Sequence, residues 1–455
     1  MHVLPLPYHA DSSHLFSFIR HLPWSIFLDS GEHNAGRYDL FTAAPCCTLS
    51  SSLTDTVISQ QGQERRSVED PFTLLQQVLA EYNFKSSTEF PFCGGAMGYF
   101  SYDLGRRLEK LPTIAHNAEQ LPLMQIGLYD WVVVVDHQKQ CSHFISQTNS
   151  DTHQQYYQWL QQGEENKEKL EKCLPFILTQ PLRSNLTKTA YSQAIDQIKA
   201  YLRAGDCYQI NFAQRFSSPA KGDPWEAYQR LRQQSPAPYG AYLQFPDVQI
   251  LSNSPEQFLA IDETQQVSTK PIKGTRPRHT DIKADQAAAT ALLNSPKDWA
   301  ENIMIVDLLR NDISKTCKTV RVPKLCALES FATVHHLVST VTGQLTPHYH
   351  NTDVLRSCFP GGSITGAPKI RAMEIIDSLE PQQRGIYCGS IGYLGSDGRM
   401  DTNICIRTLV YSQGVARFWA GGGIVYDSDT TEEYQETFDK AKAFMTLFST
   451  TEGTS

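Results

Sequence analysis

Apolar residues recur along this chain at two distinct periods. Tyr191, Ala194, Ile195, Ile198 and Leu202 follow the 3.6-residue repeat of an amphipathic helix, and Gly205 is placed to end it. Residues 207–216 then alternate, with Tyr208, Ile210 and Phe212 on one face and Gln209 and Asn211 on the other. That second face is polar enough to line a site. Nearer the N-terminus, residues 25–28 and 126–136 read as β-runs, with the glycine-rich stretch Gly94-Gly95-Ala96-Met97-Gly98-Tyr99 between them.

Two further helices announce themselves through their starts. Ser295-Pro296-Lys297-Asp298 reads as an N-cap with proline at the first helical position, leading into Met304, Ile305 and Leu308. Asp429-Thr430-Thr431-Glu432 has the form of a second capping box. Between residues 147 and 172 the chain turns polar, anchored by Tyr156, Trp159, Leu160 and Leu170, which describes a partly exposed helical connector. Pro175 and Pro181 close it. The expected organisation is a region over 1–150, a connector over 151–185 and a second region over 186–455. Helices and strands mix without regular strand-helix alternation, so the expected class is α+β with large antiparallel sheets.

Bulk composition narrows the functions. At 40% hydrophobic and 19% charged residues the chain has the balance of a soluble globular protein. A formal charge of -8 with no Lys/Arg cluster argues against nucleic acid as the partner. Its longest strongly apolar run, residues 131–135, is far short of the roughly 20 residues needed to cross a bilayer, and no basic-then-apolar leader opens the chain, so a cytoplasmic enzyme is expected. The 11 cysteines are scattered without a Cys-x-x-Cys pair, which indicates neither a disulfide framework nor a zinc site.

Several constellations carry chemistry. Asp298 and Glu301 are three apart on one helical face, and Glu433 and Glu436 repeat that spacing, with Lys440 one turn on. If the helices face each other, these carboxylates supply the hard oxygen ligands of Mg²⁺; acids in first helical turns also complement the helix dipole, and spacing alone leaves both readings open. The loop Phe359-Pro360-Gly361-Gly362-Ser363-Ile364-Thr365-Gly366-Ala367-Pro368-Lys369 precedes a helical pattern, and serves either an anion or tight packing. Asn403, Cys405 and Arg407 share a face of a strand-like run, and Gly421, Gly422 and Gly423 follow the next strand, where a ligand can approach the backbone. Of His335 and His336, neighbours on a strand, at most one enters a site.

In order along more than half the chain, these segments resemble the chorismate-utilising enzymes, which include anthranilate, isochorismate and aminodeoxychorismate synthases. The resemblance rests on residues 205–216, Ser254-Pro255-Glu256, Pro271-Ile272-Lys273-Gly274-Thr275, and residues 301–312, 334–339, 361–371, 384–393, 403–408 and 420–440. Ser30-Gly31, Gly36-Arg37-Tyr38-Asp39 and residues 94–105 resemble the family's N-terminal companion domain. The implied fold is that of anthranilate synthase component I, a sandwich of large antiparallel sheets with helices outside. Anthranilate synthases carry alanine where this chain has Lys273, and isochorismate-forming relatives carry a lysine base where it has Gln209.

What the resemblance implies is specific. Lys273 would act as a nucleophile at chorismate C2, Glu256 as general acid for the C4 hydroxyl, and His336 as a hydrogen-bonding assistant. Ammonia would then give 4-amino-4-deoxychorismate, a precursor of 4-aminobenzoate and folate. Glu301 and Glu436 would ligate Mg²⁺, supported by Asp298 and Glu433. Gly274, Thr275, Thr365, Tyr387, Arg407, Gly421, Gly422, Gly423 and Lys440 would hold substrate. With no Gly-x-Cys-x-Gly segment in the chain, ammonia would come from a separate glutamine amidotransferase subunit. Ser30, Arg37, Tyr38, Pro238, Tyr239 and Gly240 match a tryptophan pocket, although the loop before Arg37 is shorter than in relatives. The competing readings are anthranilate synthase component I and a non-catalytic chorismate-binding homologue.

Overall fold

Strand Trp131–Asp136 is buried along its whole length because both of its faces are covered. Val132 and Val134 point into a layer shared with Ile26, Leu40, Met97, Tyr99 and Ile391, whereas Trp131, Val133 and Val135 point onto Phe16, Tyr156 and Trp225 beyond. An unbroken apolar run is what burial on two faces demands. In the computed structural model, which describes residues 1–31, 36–162, 173–331 and 334–449, the first of these layers lies between two large antiparallel sheets.

The described residues form a 13-stranded and a 12-stranded sheet. In the first, Trp131–Asp136, Tyr38–Thr42 and Ser25–Asp29 continue through Tyr239–Phe245, Val248–Ser254, Thr408–Ser412 and Val415–Ile424 to Gln209–Lys221. The second runs from Ile272–Pro277 and Val334–Leu345 through Gln257–Ile261, Met400–Asn403 and Ser390–Gly395 to Gly95–Phe100 and Met124–Tyr129. Strands from before residue 150 and after residue 186 therefore pair directly in both sheets, as in Ser25–Asp29 with Tyr239–Phe245 and Gly95–Phe100 with Ser390–Gly395.

Helices cover the outer faces. Pro71–Ala80, Pro296–Ser314 and Asn351–Cys358 pack their apolar sides on the second sheet; Pro224–Gln234, Lys369–Leu379 and Thr430–Ser449 pack on the first. The helix of residues 191–202 extends over Lys188–Ala204, capped by Thr187 and ended by Gly205 at φ 80. Both acidic helix starts are capped where read. Ser295 Oγ accepts from Asp298 N, and Asp429 Oδ1 accepts from Thr431 N and Glu432 N.

Three sequence readings need correction. The single run 126–136 is two strands, Met124–Tyr129 and Trp131–Asp136, in different sheets; the chain crosses at Asp130, and apolarity on both sides hid the break. The glycine-rich stretch is itself strand Gly95–Phe100, where a side chain on Gly98 would meet the Gln125 carbonyl at 2.0 Å. Arg407 is not on a strand: Met400–Asn403 ends in the second sheet, Thr408–Ser412 begins in the first, and Arg407, at φ 48, turns the chain between them. Of the polar connector, Asp151–Gln161 is a helix with Tyr156 and Leu160 buried, while residues 163–172 lie outside the described residues. So do residues 32–35 before Arg37.

Candidate active site

Strand Ile272–Pro277 bulges at Gly274, where its pairing with Leu337 and His336 slips by one residue. Only glycine passes there comfortably: φ is +82, and a Cβ would lie 2.9 Å from Leu292 Cδ1 and Asp298 Cγ. Next to the bulge, Lys273 Nζ donates to the Ser363 carbonyl at 3.0 Å. Burial pushes the Lys273 ammonium below its usual range, against the pull of Glu301 and Glu256. Glu256, 4% exposed, is pushed the other way by burial, opposed by a hydrogen bond from Ser363 and by Lys273. A lysine biased towards the neutral amine thus sits beside a carboxyl biased towards the neutral acid, both tied to one residue of the glycine loop.

The two histidines part company. His336 Nδ1 meets Thr275 Oγ1 at 2.8 Å, and burial with the nearby Arg407 charge pushes its pKa down to about 4, so it is neutral at neutral pH. His335 turns to Asp285 at 3.0 Å.

The acidic helices bring their carboxylates together around a lysine. Glu433, Glu301 and Glu436 hold the Lys297 ammonium above its usual range although burial opposes them. Burial raises Glu301, with Asp298 and Glu433 adding to it, while Glu436 is held low despite burial by Lys440 at 2.6 Å. Strand Val415–Ile424 passes close by: a Cβ on Gly422 would lie 3.2 Å from Glu436 Oε1 and 3.3 Å from Glu433 Oε2. Among the described residues no three acidic, His or Cys side chains already form a metal cage. Cations are interleaved instead, with Lys297 on Glu433, Arg276 on Asp298 and Lys440 on Glu436, and the Ser428 hydroxyl donates to Glu433. The donor chemistry, carboxylate oxygens facing across a narrow gap, fits a hard divalent cation that would displace these lysines.

Lys440 Nζ also donates to the Gly421 carbonyl at 2.8 Å. Tyr387 stacks on Trp419 at 5.8 Å. Arg407 is desolvated, which pushes its pKa down, and no group among the described residues accepts a hydrogen bond from its guanidinium. Thr365 is fully buried with its hydroxyl donating to the Gly361 and Gly362 carbonyls, so it shapes the loop. The loop leads into helix Lys369–Leu379 as read, with Gly366–Ala367 adding to strand Gln209–Lys221 on the way.

Apart from these groups, a cavity of about 230 Å³ lies between the sheets, lined by Ser30, Arg37, Tyr38, Pro238, Tyr239 and Gly240. Arg37 pairs with Asp136 at 2.8 Å and covers the Tyr38 ring at 4.6 Å. Asp401, whose carboxyl burial pushes up to about 6, also faces this cavity.

Sequence reasoning missed Ser363, Lys297 and Asp401. Ser363 acts on Lys273 through its backbone carbonyl, which no side-chain pattern records, and Lys297 was read only as part of a cap. Gln209, placed on the polar face of its strand, approaches Glu301 at 3.5 Å and buries its Oε1 without a partner.

A family model described as chorismate binding enzyme matches residues 31–446, and the chain belongs to that family. It is 46% identical over 97% of both chains to aminodeoxychorismate synthase component 1 of Salmonella typhimurium. It is 37% identical to anthranilate synthase component 1 of Pseudomonas putida, over 95% of this chain and 92% of that one. Among solved structures, anthranilate synthase component I from Streptococcus pneumoniae superposes with a TM-score of 0.78 at 33% identity, covering 90% of this chain and 92% of that one.

Proposed function

We propose that this chain aminates chorismate at C4 to give 4-amino-4-deoxychorismate, as the name of the relative from Salmonella typhimurium suggests for that protein. The observation that carries this reading is the pairing of Lys273 with Glu256 at Ser363, one biased to the free amine and the other to the free acid. The Lys273 lone pair forms a bond to C2, the ring double bonds shift, and the C4–O bond breaks as Glu256 gives its proton to the departing hydroxyl. Ammonia then bonds to C4, the double bonds shift back, and the C2–N bond to Lys273 breaks. The enolpyruvyl group is retained. Neutral His336, held by Thr275, donates or accepts a hydrogen bond without adding charge.

Arg407, at the crossover between the two sheets, would receive one substrate carboxylate. Glu301 and Glu436, with Asp298 and Glu433, would hold Mg²⁺, which when bound neutralises the ring carboxylate. Tyr387, Gly421, Gly422, Gly423 and Lys440 would form the wall on which the ring rests, with Gly274, Thr275 and Thr365 shaping the opposite side. The ammonia source would be a separate glutamine amidotransferase subunit, making a heterodimer. No helix among the described residues is long and apolar enough to cross a membrane, in keeping with a cytoplasmic setting. The 230 Å³ cavity would take L-tryptophan.

The covalent step has a direct test. Chorismate and Mg²⁺ without ammonia, followed by an acid quench and peptide mapping, are expected to place a dehydrated chorismate adduct on Lys273. An adduct that survives Lys273→Ala at the same peptide contradicts the nucleophile role. The second reading, anthranilate formation, draws on the likeness to anthranilate synthases at 37% and 33% identity, and the alanine that the resemblance gives those enzymes in place of Lys273 speaks against it.

A further inference from the structure

Beside the glycine strand lies a second group of buried polar atoms that no step above uses. Arg215, on strand Gln209–Lys221, is paired in register with Trp419 on strand Val415–Ile424 and lies over its ring at 6.0 Å. Arg215 Nε and Nη1, Trp419 Nε1 and Glu119 Oε2 are all buried, and none has a hydrogen-bond partner among the described residues. Glu119 is 4% exposed and feels the charges of Arg417, Arg215 and Asp103; Asp103 is itself taken up by Arg106 and the Gly385 amide. Arg417 spends a guanidinium N–H on Ser412. Unpartnered donors and an unpartnered acceptor in one buried place require a small occupant that both accepts and donates.

The same group connects outward and inward. Outward, Asn185 bridges the Arg215 backbone to Gln382, both partly exposed. Inward, Trp419 stacks on Tyr387 and its strand runs to Gly421, where Lys440 is anchored. Neutral ammonia fits the group: its lone pair accepts from Arg215 or Trp419 while an N–H donates to Glu119. Ammonium can reach Glu119 with an N–H, but it has no lone pair to accept from Arg215 or Trp419, and the two guanidiniums favour its loss of a proton there.

We infer that Glu119, with Arg215 and Trp419, is the station where ammonium loses its proton and from which ammonia reaches the substrate; the inference rests on the amination reading above. One proton passes from ammonium to Glu119 Oε2, leaving neutral ammonia and the carboxylic acid. The ammonia lone pair later forms the C4–N bond, and Glu119 returns its proton to water. Burial that pushes the Glu119 carboxyl up to about 7 suits a group that must cycle between both states near neutral pH.

The test is the Glu119→Gln variant of the full chain, assayed with chorismate, Mg²⁺ and ammonium chloride from pH 7 to 9. The parent is expected to show kcat/KM for total ammonium that changes little with pH. The variant should track free ammonia, rising about tenfold per pH unit, so that it is about tenfold or more impaired at pH 7.5 and close to the parent at pH 9. The KM for chorismate and formation of the Lys273 adduct should not move, which shows that the fold and first step are intact. Trp419→Phe, which keeps the ring and removes the N–H, should raise the KM for ammonia at every pH without changing the slope. Parallel pH profiles for parent and Glu119→Gln overturn the inference, as does a uniform loss accompanied by a shifted chorismate KM. A parent that makes no aminated product overturns the amination reading itself, an outcome visible before any variant is compared.

Discussion

Lys273 and Glu256 are shifted in opposite directions by the same cause, removal from water, because one ionises by gaining a proton and the other by losing it. The amination reading needs Lys273 neutral, so rate is gained as pH rises through its lowered pKa. It needs Glu256 protonated, so rate is lost as pH rises through its raised pKa. A bell-shaped kcat profile is therefore expected, and Glu256→Gln should remove the descending limb while lowering kcat by about 10²–10⁴-fold with little change in the KM for chorismate. Glu119 supports a prediction about stability. Its folded pKa of about 7 lies above the 4.5 of a free carboxyl, so ionisation costs the fold nothing below about pH 4.5 and its full penalty above pH 7. Glu119→Gln should thus stabilise the protein by about 3 kcal/mol at pH 8 and hardly at all at pH 4, measured by urea unfolding at each pH. At this scale the resemblance to a family supplied the candidate site residues, but their partners in the fold stayed out of sight. That Ser363 offers a carbonyl, or that Lys297, Lys440 and Arg276 sit between the carboxylates, depends on segments far apart in the chain meeting.

The helices were legible because their signals are local. The Ser295 cap, the Asp429 turn and Gly205 act within a few residues of themselves. The strands were less so. The Asp130 break and the left-handed turn at Arg407 both mark places where the chain leaves one sheet for the other, a long-range event with no periodicity of its own. Glycines on strands carry the clearest element-level predictions. Gly274→Ala would put a methyl group 2.9 Å from Leu292 and Asp298 at φ +82, and should cost about 1–3 kcal/mol in denaturant unfolding while displacing Lys273 and lowering kcat. Gly422→Ala intrudes only on the Glu436 and Glu433 carboxylates, at 3.2 and 3.3 Å. It should leave the unfolding midpoint nearly unchanged and raise the Mg²⁺ concentration needed for half-maximal activity; an unaltered Mg²⁺ requirement would move the metal away from those residues.

Across the whole molecule, the two sheets draw strands from both ends of the chain, so the proposed catalytic groups and the 230 Å³ cavity share one framework. Strand Met400–Asn403 touches both, since Asp401 and Asn403 line the cavity and the Glu256 carbonyl accepts from Ile404 just beyond. If the cavity takes L-tryptophan, a concentration 100 times its Kd should stabilise the fold by about 2.7 kcal/mol, read as a shift in thermal unfolding that D-tryptophan does not reproduce. The claim on which the rest depends is the identity of the product. Purified chain incubated with chorismate, Mg²⁺ and ammonium, with products resolved by mass spectrometry, should yield 4-amino-4-deoxychorismate with its enolpyruvyl group intact and no free pyruvate. Anthranilate with stoichiometric pyruvate, or chorismate recovered unchanged, would contradict it.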